Sequence, residues 1–237
     1  MLLDDDTVFN MFKGKSVALI GPAQNLIGTS KGKFIDSFDI VCRIQNGFII
    51  DAKYEDDYGK RCDIIFNTCN LTTLCSLKRN RSYIKQDCKL IICPMPELIC
   101  KDKIDYKINK KNMYENYLDT NIDIPFYKVP DYKDNGLNTG LQCIQFLLTT
   151  SATQIYIAGF DFHQITNTNT NIKNNWKTYL CSIDKIHCTI KDCICKKRIN
   201  DINPSNYKER VFTYNFFKTF FLHNSRLIID ENIKTLF

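Results

Sequence analysis

Short apolar runs alternate along the chain with longer polar or helix-patterned stretches. Several of the runs carry four apolar residues without alternation, which is typical of strands buried on both faces of a sheet. The predicted strands are Ser16–Ile20, Asp39–Arg43, Asp63–Phe66, Lys89–Cys93, Phe126–Val129, Gln154–Ala158 and Arg226–Ile229. Because helical stretches separate these runs, the pattern predicts an α/β fold with a mainly parallel central sheet.

Two helices stand out between and after the predicted strands. Leucine and isoleucine recur at helical spacing over Thr139–Thr149, so one face of this helix should pack on the sheet. Asn203 followed by Pro204 is typical of an N-cap with proline at the first helical position. The helix that begins there should run to about Leu222, and its expected inward-facing residues are Val211, Tyr214, Phe217 and Phe221.

The organisation along the chain predicts one domain over residues 1–237. Its length suits one well-packed unit, and its apolar fraction of 44% is ordinary for a globular protein. Residues 1–14 are interpreted as an N-terminal extension. Residues 163–203, after the sixth strand, are long and polar, as is typical of a loop or lid that contacts a ligand.

The net charge of +6 is modest, and acidic residues are interspersed with the basic ones. This balance fits an anionic ligand better than a nucleic acid. Lys101–Lys111 and Lys191–Arg198 are basic, yet they lack the interleaved aromatic residues of a nucleic-acid site. No stretch approaches the ~20 apolar residues of a membrane helix. Met1–Lys15 has no apolar signal core, so a cytoplasmic protein is expected.

Twelve cysteines could indicate a disulfide framework. Cys42, Cys93 and Cys143, however, lie in apolar runs, where cysteine behaves as a small core residue. With a reducing compartment expected, the cysteines are predicted to be free thiols.

The first predicted strand ends in Gly21 and Pro22, at the edge where open α/β sheets bind ligands. Gly21 would let the backbone approach a ligand closely. The dinucleotide fingerprint is absent because Ala23 replaces its second glycine, which disfavours a nicotinamide cofactor. An ordinary tight turn would explain the same pair of residues.

Polar side chains follow the next two strands in the same way. Arg43, Gln45 and Asn46 come at the end of the second strand, and Asn67 follows the third. Amides offer both donor and acceptor atoms to a base or a sugar. The carboxyl ends of parallel strands meet at one edge, so these side chains should converge with Gly21.

The helix over Thr139–Thr149 begins with Asn138, Thr139 and Gly140, and its free N–H groups suit a phosphate or a carboxylate. Asn138 would also cap this helix. The sixth strand leads to Asp161 and Phe162 at the same edge.

Five stretches between about Ser16 and Gln164 together resemble the sialyltransferase-like glycosyltransferases, families 29 and 42. They are V-A-L-I-G-P, I-D-S-F-D-I-V-C-R-I-Q-N, G-K-R-C-D-I-I-F-N, N-T-G and I-Y-I-A-G-F-D-F. The resemblance implies a variant Rossmann-type domain that binds a cytidine monophosphate (CMP) sugar, needs no metal or other cofactor, and transfers the sugar to a glycan acceptor with inversion. It also implies that Gln45 and Asn67 take donor-binding positions, with Thr139 near the donor.

The chain departs from the family pattern at four positions. Pro22 and Gln45 stand where the family usually has asparagine, and Ser16 replaces a cysteine of the secretory members. Asn203 stands where a histidine normally supplies the base before the last helix. Inversion needs a group that removes the acceptor proton, and neutral histidine suits this role.

Three histidines are available. We expect His187 to act as the base and His163 to stabilise the leaving phosphate, whereas His223 should lie on the surface. An alternative for the same segment is a structural zinc site, with ligands among Cys181, His187, Cys188, Cys193 and Cys195. In that case His187 would not be free to act as a base.

The leading hypothesis is an inverting glycosyltransferase that uses a CMP-activated sialic acid or a related sugar. Two alternatives stay open: a nucleotide- or glycan-binding relative without catalysis, and another nucleotide-using α/β enzyme such as a methyltransferase. Fold class alone does not separate them.

Overall fold

The computed structural model describes residues 1–69, 71–84, 86–94, 117–118, 120–130, 137–160 and 214–236. In this part of the chain seven strands form one sheet in the order β5-β4-β3-β2-β1-β6-β7, and all neighbours are parallel. The strands are β1 Ser16–Ile20, β2 Ile40–Ile44, β3 Ile64–Phe66, β4 Leu90–Cys93, β5 Phe126–Lys128, β6 Gln154–Ala158 and β7 Leu227–Ile229. The predicted α/β class is therefore confirmed, and the sheet is wholly parallel over these residues.

Helices and short 3₁₀ turns connect the strands. The helices are α1 Asp5–Phe12, α2 Gly32–Asp36, α3 Glu55–Tyr58, α4 Leu71–Arg79, α5 Thr139–Thr149, α6 over 214–220, and α7 Glu231–Lys234. The 3₁₀ turns are Gln24–Leu26, Gln45–Phe48, Ala52–Tyr54 and Arg81–Tyr83. The predicted bounds of α5 are confirmed. Of the last predicted helix, only α6 lies within the described residues, with Phe217 and the following Phe221 buried as predicted.

The strand order reverses at β1. Strands β2 to β5 extend the sheet on one side of β1, whereas β6 and β7 extend it on the other. At such a reversal the connections after the two neighbouring strands diverge, and a crevice opens at their carboxyl ends. The fold therefore directs attention to the residues that follow β1, β2 and β6.

The core lies on both faces of the sheet, as expected for a parallel sheet covered by helices. Along β1, Val17 and Leu19 pack into one hydrophobic cluster, and Ala18 and Ile20 into another. Phe146 of α5 belongs to the first cluster. Its aromatic neighbours, with ring centroids 5.9–6.0 Å away, are Phe9, Phe12, Phe66 and Tyr127.

The first residues of the chain pack onto this same unit. The Leu3 N–H donates to the Phe126 carbonyl and the Phe126 N–H donates to the Met1 carbonyl, each at 2.8 Å. Residues 1–3 thereby add a short extended segment to the edge strand β5, and α1 buries Val8 and Phe12.

Four strands, β2, β3, β4 and β7, begin one residue later than predicted, and aspartate side chains explain this for β2 and β3. Asp39 Oδ2 accepts from the Ser16 N–H at 2.8 Å, and Asp63 Oδ2 accepts from the Val41 N–H at 2.7 Å. Each carboxylate binds the neighbouring strand at the point where a backbone ladder would otherwise continue. The polar residue thus marks the boundary of the strand.

A buried ionic network fixes the end of β7 to the opposite side of the strand reversal. The Lys31 ammonium and the Tyr156 hydroxyl both donate to Asp230 Oδ2. Asp230 also caps α7 by accepting from the Asn232 N–H at 3.0 Å. Burial raises the pKa of Asp230, but the hydrogen bonds from Lys31 and Tyr156 outweigh that effect and hold it below its usual range.

Replacing Asp230 with Asn should lower the free energy of unfolding by about 1–3 kcal/mol near pH 7, because Lys31 loses its buried partner. Because the pKa of Asp230 is lower in the folded state, its ionised carboxylate stabilises the fold above the unfolded-state pKa of ~3.9. This stabilisation is lost as the pH falls through the folded-state pKa. The difference between wild type and D230N should therefore shrink below about pH 4. Urea unfolding from pH 3 to pH 7 measures this.

Glu231→Gln is the matched control, since Glu231 forms an exposed pair with Lys234 at 2.7 Å. Its effect should stay below about 0.5 kcal/mol. Equal effects of the two substitutions would contradict the assignment of stability to the buried network.

Candidate active site

The carboxyl ends of β1 and β6 meet through two glycines. A Cβ added at Gly21 would clash with the Gly159 carbonyl oxygen, and one added at Gly159 would clash with that of Gly21. The Gly21 N–H donates to the Ala158 carbonyl at 2.8 Å, and the Ala23 N–H donates to Gly159 at 2.9 Å. Gly21 was expected to admit a ligand, but the structure shows that the neighbouring chain segment occupies the space that a side chain would fill.

The turn after β2 packs on this contact. Gly47 lies next to the Gly21–Pro22 backbone: a Cβ added there would be 3.7 Å from Pro22 N. Pro22 itself is half-buried. The loops after β1, β2 and β6 therefore form one continuous surface at the strand reversal.

Gln45, the first residue after β2, connects three elements of the site. Its Nε2 donates to Thr68 Oγ1 at 3.1 Å and to Thr139 Oγ1 at 3.3 Å. The structure thus brings Gln45 and Thr139 together although 94 positions separate them. Gln45 has φ 50°, a left-handed conformation that is uncommon outside glycine and that occurs at functional sites.

Asn67 follows β3 as Gln45 follows β2, and the residues before them, Phe66 and Ile44, are register partners. Asn67 is fully buried, and its Oδ1 accepts from the Cys69 N–H at 2.8 Å. Asn67 Nδ2 and Gln45 Oε1 are buried without a hydrogen-bond partner among the described residues. Buried polar atoms are nearly always paired, so a donor and an acceptor left open at adjacent strand ends indicate a ligand or ordered water.

Asn46 and Arg43 do not join this arrangement in the way the sequence predicts. Asn46 Oδ1 accepts from Ser76 Oγ of α4 at 2.7 Å. Arg43 lies inside β2, and its side-chain hydrogen bonds are made to the segment that precedes β3. The Arg43 guanidinium donates to the carbonyls of Tyr58 and Arg61, at 2.9 and 2.8 Å. Arg43 is therefore a buried residue of the sheet, where burial lowers its pKa, and its Nη1 is a buried atom without a partner among the described residues.

Asn138 and Gly140, at the start of α5, make contacts within the protein. Asn138 Oδ1 accepts from the Leu141 N–H at 3.0 Å, so Asn138 is the predicted N-cap. A Cβ added at Gly140 would lie 2.8 Å from Cε1 of Phe160. Gly140 thus lets the helix approach the residue that follows Gly159.

Asn25 is a site residue that was not predicted from the sequence. This residue lies in the 3₁₀ turn after β1, and its Nδ2 donates to the Phe160 carbonyl at 2.8 Å. Asn25 Oδ1 is a third buried amide atom without a partner in the described part of the chain. The rule that identified Gln45 and Asn67, a polar residue after a buried strand, would have found Asn25 if it had extended beyond the Gly21–Pro22 turn.

Several predicted site residues lie outside the described residues. These are Asp161, Phe162, His163 and His187, together with the alternative zinc ligands Cys181, Cys188, Cys193 and Cys195. His223 is exposed, as predicted. Across the described residues, no group of three or more His, Cys, Asp or Glu side chains could hold a metal ion. No disulfide joins the described cysteines, which are Cys42, Cys62, Cys69, Cys75, Cys88, Cys93 and Cys143.

The chain belongs to glycosyltransferase family 29, the sialyltransferase family. The sequence model of this family matches residues 4–129, more than half of the chain, and this range contains the open amides after β1, β2 and β3. The chain is also similar to the crystal structure of a mammalian sialyltransferase in complex with Gal-beta-1-3GalNAc-ortho-nitrophenol, with 13% identity and a TM-score of 0.39. The match covers 67% of this chain and 60% of that one.

Comparison with curated proteins gives no match. None of the helices in the described residues is both long and apolar enough to cross a membrane.

The glycine contact yields a stability test. Gly159→Ala should lower the free energy of unfolding by about 3 kcal/mol or more, because φ 71° is strained for alanine and the new Cβ meets Gly21. Gly28→Ala is the matched control: its φ is 79°, but nothing lies within 4 Å of the added Cβ. That substitution should cost only about 1 kcal/mol. Urea unfolding of both variants compares them, and equal losses would contradict the contact.

Proposed function

We propose that this protein is an inverting sialyltransferase that transfers sialic acid, or a related acidic sugar, from a CMP-sugar to a glycan acceptor. The observation that carries this proposal is the pair of open amide atoms, Gln45 Oε1 and Asn67 Nδ2, at neighbouring strand ends. Gln45 Oε1 accepts a hydrogen bond and Asn67 Nδ2 donates one. Together they suit a ligand that offers both a donor and an acceptor, as a nucleoside monophosphate does. Family membership favours this reading over a methyltransferase.

The reaction would proceed in one displacement. The acceptor hydroxyl oxygen attacks the anomeric carbon while the bond to the CMP phosphate oxygen breaks, and the hydroxyl proton passes to a base. Charge develops on the leaving phosphate, so donors held in place before the reaction lower the barrier. We assign the open amides after β2 and β3 to binding the donor nucleotide, with no metal required, and the Thr139 hydroxyl to fixing the Gln45 side chain.

The roles proposed for the histidines follow from the sequence. His163 would donate to the leaving phosphate and His187 would take the proton from the acceptor. Because Asn203 replaces the usual family histidine, a relative that binds the donor without transferring it is the second candidate. Both candidates require the nucleotide pocket and differ only in turnover.

Asn67→Asp tests the pocket. The substitution keeps the oxygen that accepts from Cys69 but replaces the donor Nδ2 with an acceptor, which repels an anionic ligand. We expect the affinity for CMP, measured by calorimetry, to fall by about tenfold or more. Asn10→Asp, on the exposed side of α1, is the matched control and should bind CMP as the wild type does. Unchanged binding by a folded N67D protein would contradict the proposal.

His187→Ala tests the proposed base. If His187 removes the acceptor proton, transfer from CMP-sialic acid should fall by about 10²-fold or more, while the affinity for CMP stays unchanged. Sugar transfer and donor hydrolysis, followed by chromatography, measure this. Full transfer by H187A would exclude the assignment, and a wild type that binds CMP but neither transfers nor hydrolyses the donor would favour the second candidate.

A further inference from the structure

Cys69 and Cys93 form a buried thiol pair next to Asn67. Cys69 lies in the turn after β3, and Cys93 is the last residue of the neighbouring strand β4. Both side chains are fully buried, and burial together with the neighbouring Cys93 thiol raises the pKa of Cys69. Cys69 lies three residues after Phe66, the register partner of Ile92, so it is offset from Cys93 along the strands. The two thiols nevertheless donate to the carbonyls of consecutive residues, Asn67 and Thr68, which brings both sulfurs to the same turn.

The same two thiols hold the segment that carries Asn67. Cys69 Sγ donates to the Asn67 carbonyl at 3.3 Å, and Cys93 Sγ donates to the Thr68 carbonyl at 3.5 Å. The Cys69 N–H donates to Asn67 Oδ1 and so orients the side chain whose Nδ2 is open. Cys69 has φ 54°, a left-handed conformation that is strained for a residue with a Cβ.

We propose that Cys69 and Cys93 are a redox-sensitive site whose oxidation to a disulfide weakens binding of the nucleotide donor; this inference rests on the proposed function. The oxidant is a low-molecular-weight disulfide such as oxidised glutathione. One protein thiolate attacks it and releases one small thiol, and the second protein thiolate attacks the mixed disulfide and releases the other. The two protein sulfurs lose two electrons, and their protons leave with the two small thiols.

Disulfide formation would disturb the support of Asn67 in two ways. The two sulfurs must approach to about 2.05 Å, which draws Cys69 and its N–H toward β4. Both S–H donors disappear, so the carbonyls of Asn67 and Thr68 lose those partners. The Asn67 side chain then loses the contacts that aim Nδ2. Burial raises the pKa of the Cys69 thiol, so exchange is slow and has to be read at equilibrium.

A second thiol pair on the same strands supplies the internal control. Cys62 and Cys88 each lie two residues before a register pair of β3 and β4, and their thiols donate to the Ile64 and Leu90 carbonyls, each at 3.9 Å. This pair is buried too, but it lies at the amino ends of the strands, away from Asn67. Its oxidation should leave donor binding unchanged.

The experiment equilibrates the full chain in glutathione buffers of defined potential. Non-reducing peptide mass spectrometry identifies the disulfides, and calorimetry gives the CMP dissociation constant of each state. We expect a Cys69–Cys93 disulfide and about tenfold weaker CMP binding, reversed by dithiothreitol. Cys93→Ser should bind CMP equally in both buffers, with Cys93→Ala as a second variant should serine disturb the core. Cys62→Ser should respond as the wild type does.

Three results would overturn the inference: no Cys69–Cys93 disulfide at equilibrium, a mapped disulfide with unchanged CMP affinity, or a Cys93 variant that still responds to oxidation. These leave the proposed function intact. If the reduced wild type fails to bind CMP, the proposed function itself is contradicted, together with the switch that rests on it.

Discussion

The close contact between Gly21 and Gly159 is the constraint on which the site depends. At the strand reversal the residues that follow β1 and β6 meet, and their backbones touch because neither Gly21 nor Gly159 has a Cβ. This contact adjoins the turn that carries Asn25, whose Nδ2 donates to the Phe160 carbonyl at 2.8 Å. The loop after β2 then packs on the Gly21–Pro22 backbone. A side chain at either glycine would push the segments after β1 and β6 apart.

The side-chain amides of Gln45 and Asn67 are held in place before any ligand binds. Gln45 is fixed by Thr68 and Thr139, which lie after β3 and at the start of α5. Asn67 is fixed by the Cys69 N–H. Each amide uses one atom to hold its own position and leaves the other atom open. Prearranged groups of this kind lose little freedom on binding and suit the stabilisation of charge on a leaving group.

The sequence predicted the sheet well because a parallel sheet buried on both faces needs uninterrupted apolar runs, and each of the seven runs became a strand. The ends of the strands were less predictable. Arg43 belongs to β2, and its guanidinium donates to the Tyr58 carbonyl. Asn46 accepts a hydrogen bond from the Ser76 hydroxyl. The partner of Gly21 comes from a segment far along the chain, so local sequence gives no sign of it. The unpaired atoms of Gln45 and Asn67 depend on hydrogen-bond geometry that no residue pattern contains.

The central claim is that the open amide atoms after β2 and β3 bind the donor nucleotide. A crystal structure of the protein with CMP tests it most directly. We expect a ligand acceptor within hydrogen-bond distance of Asn67 Nδ2 and a ligand donor or bridging water at Gln45 Oε1. CMP bound elsewhere, with both atoms still unpaired, would contradict it.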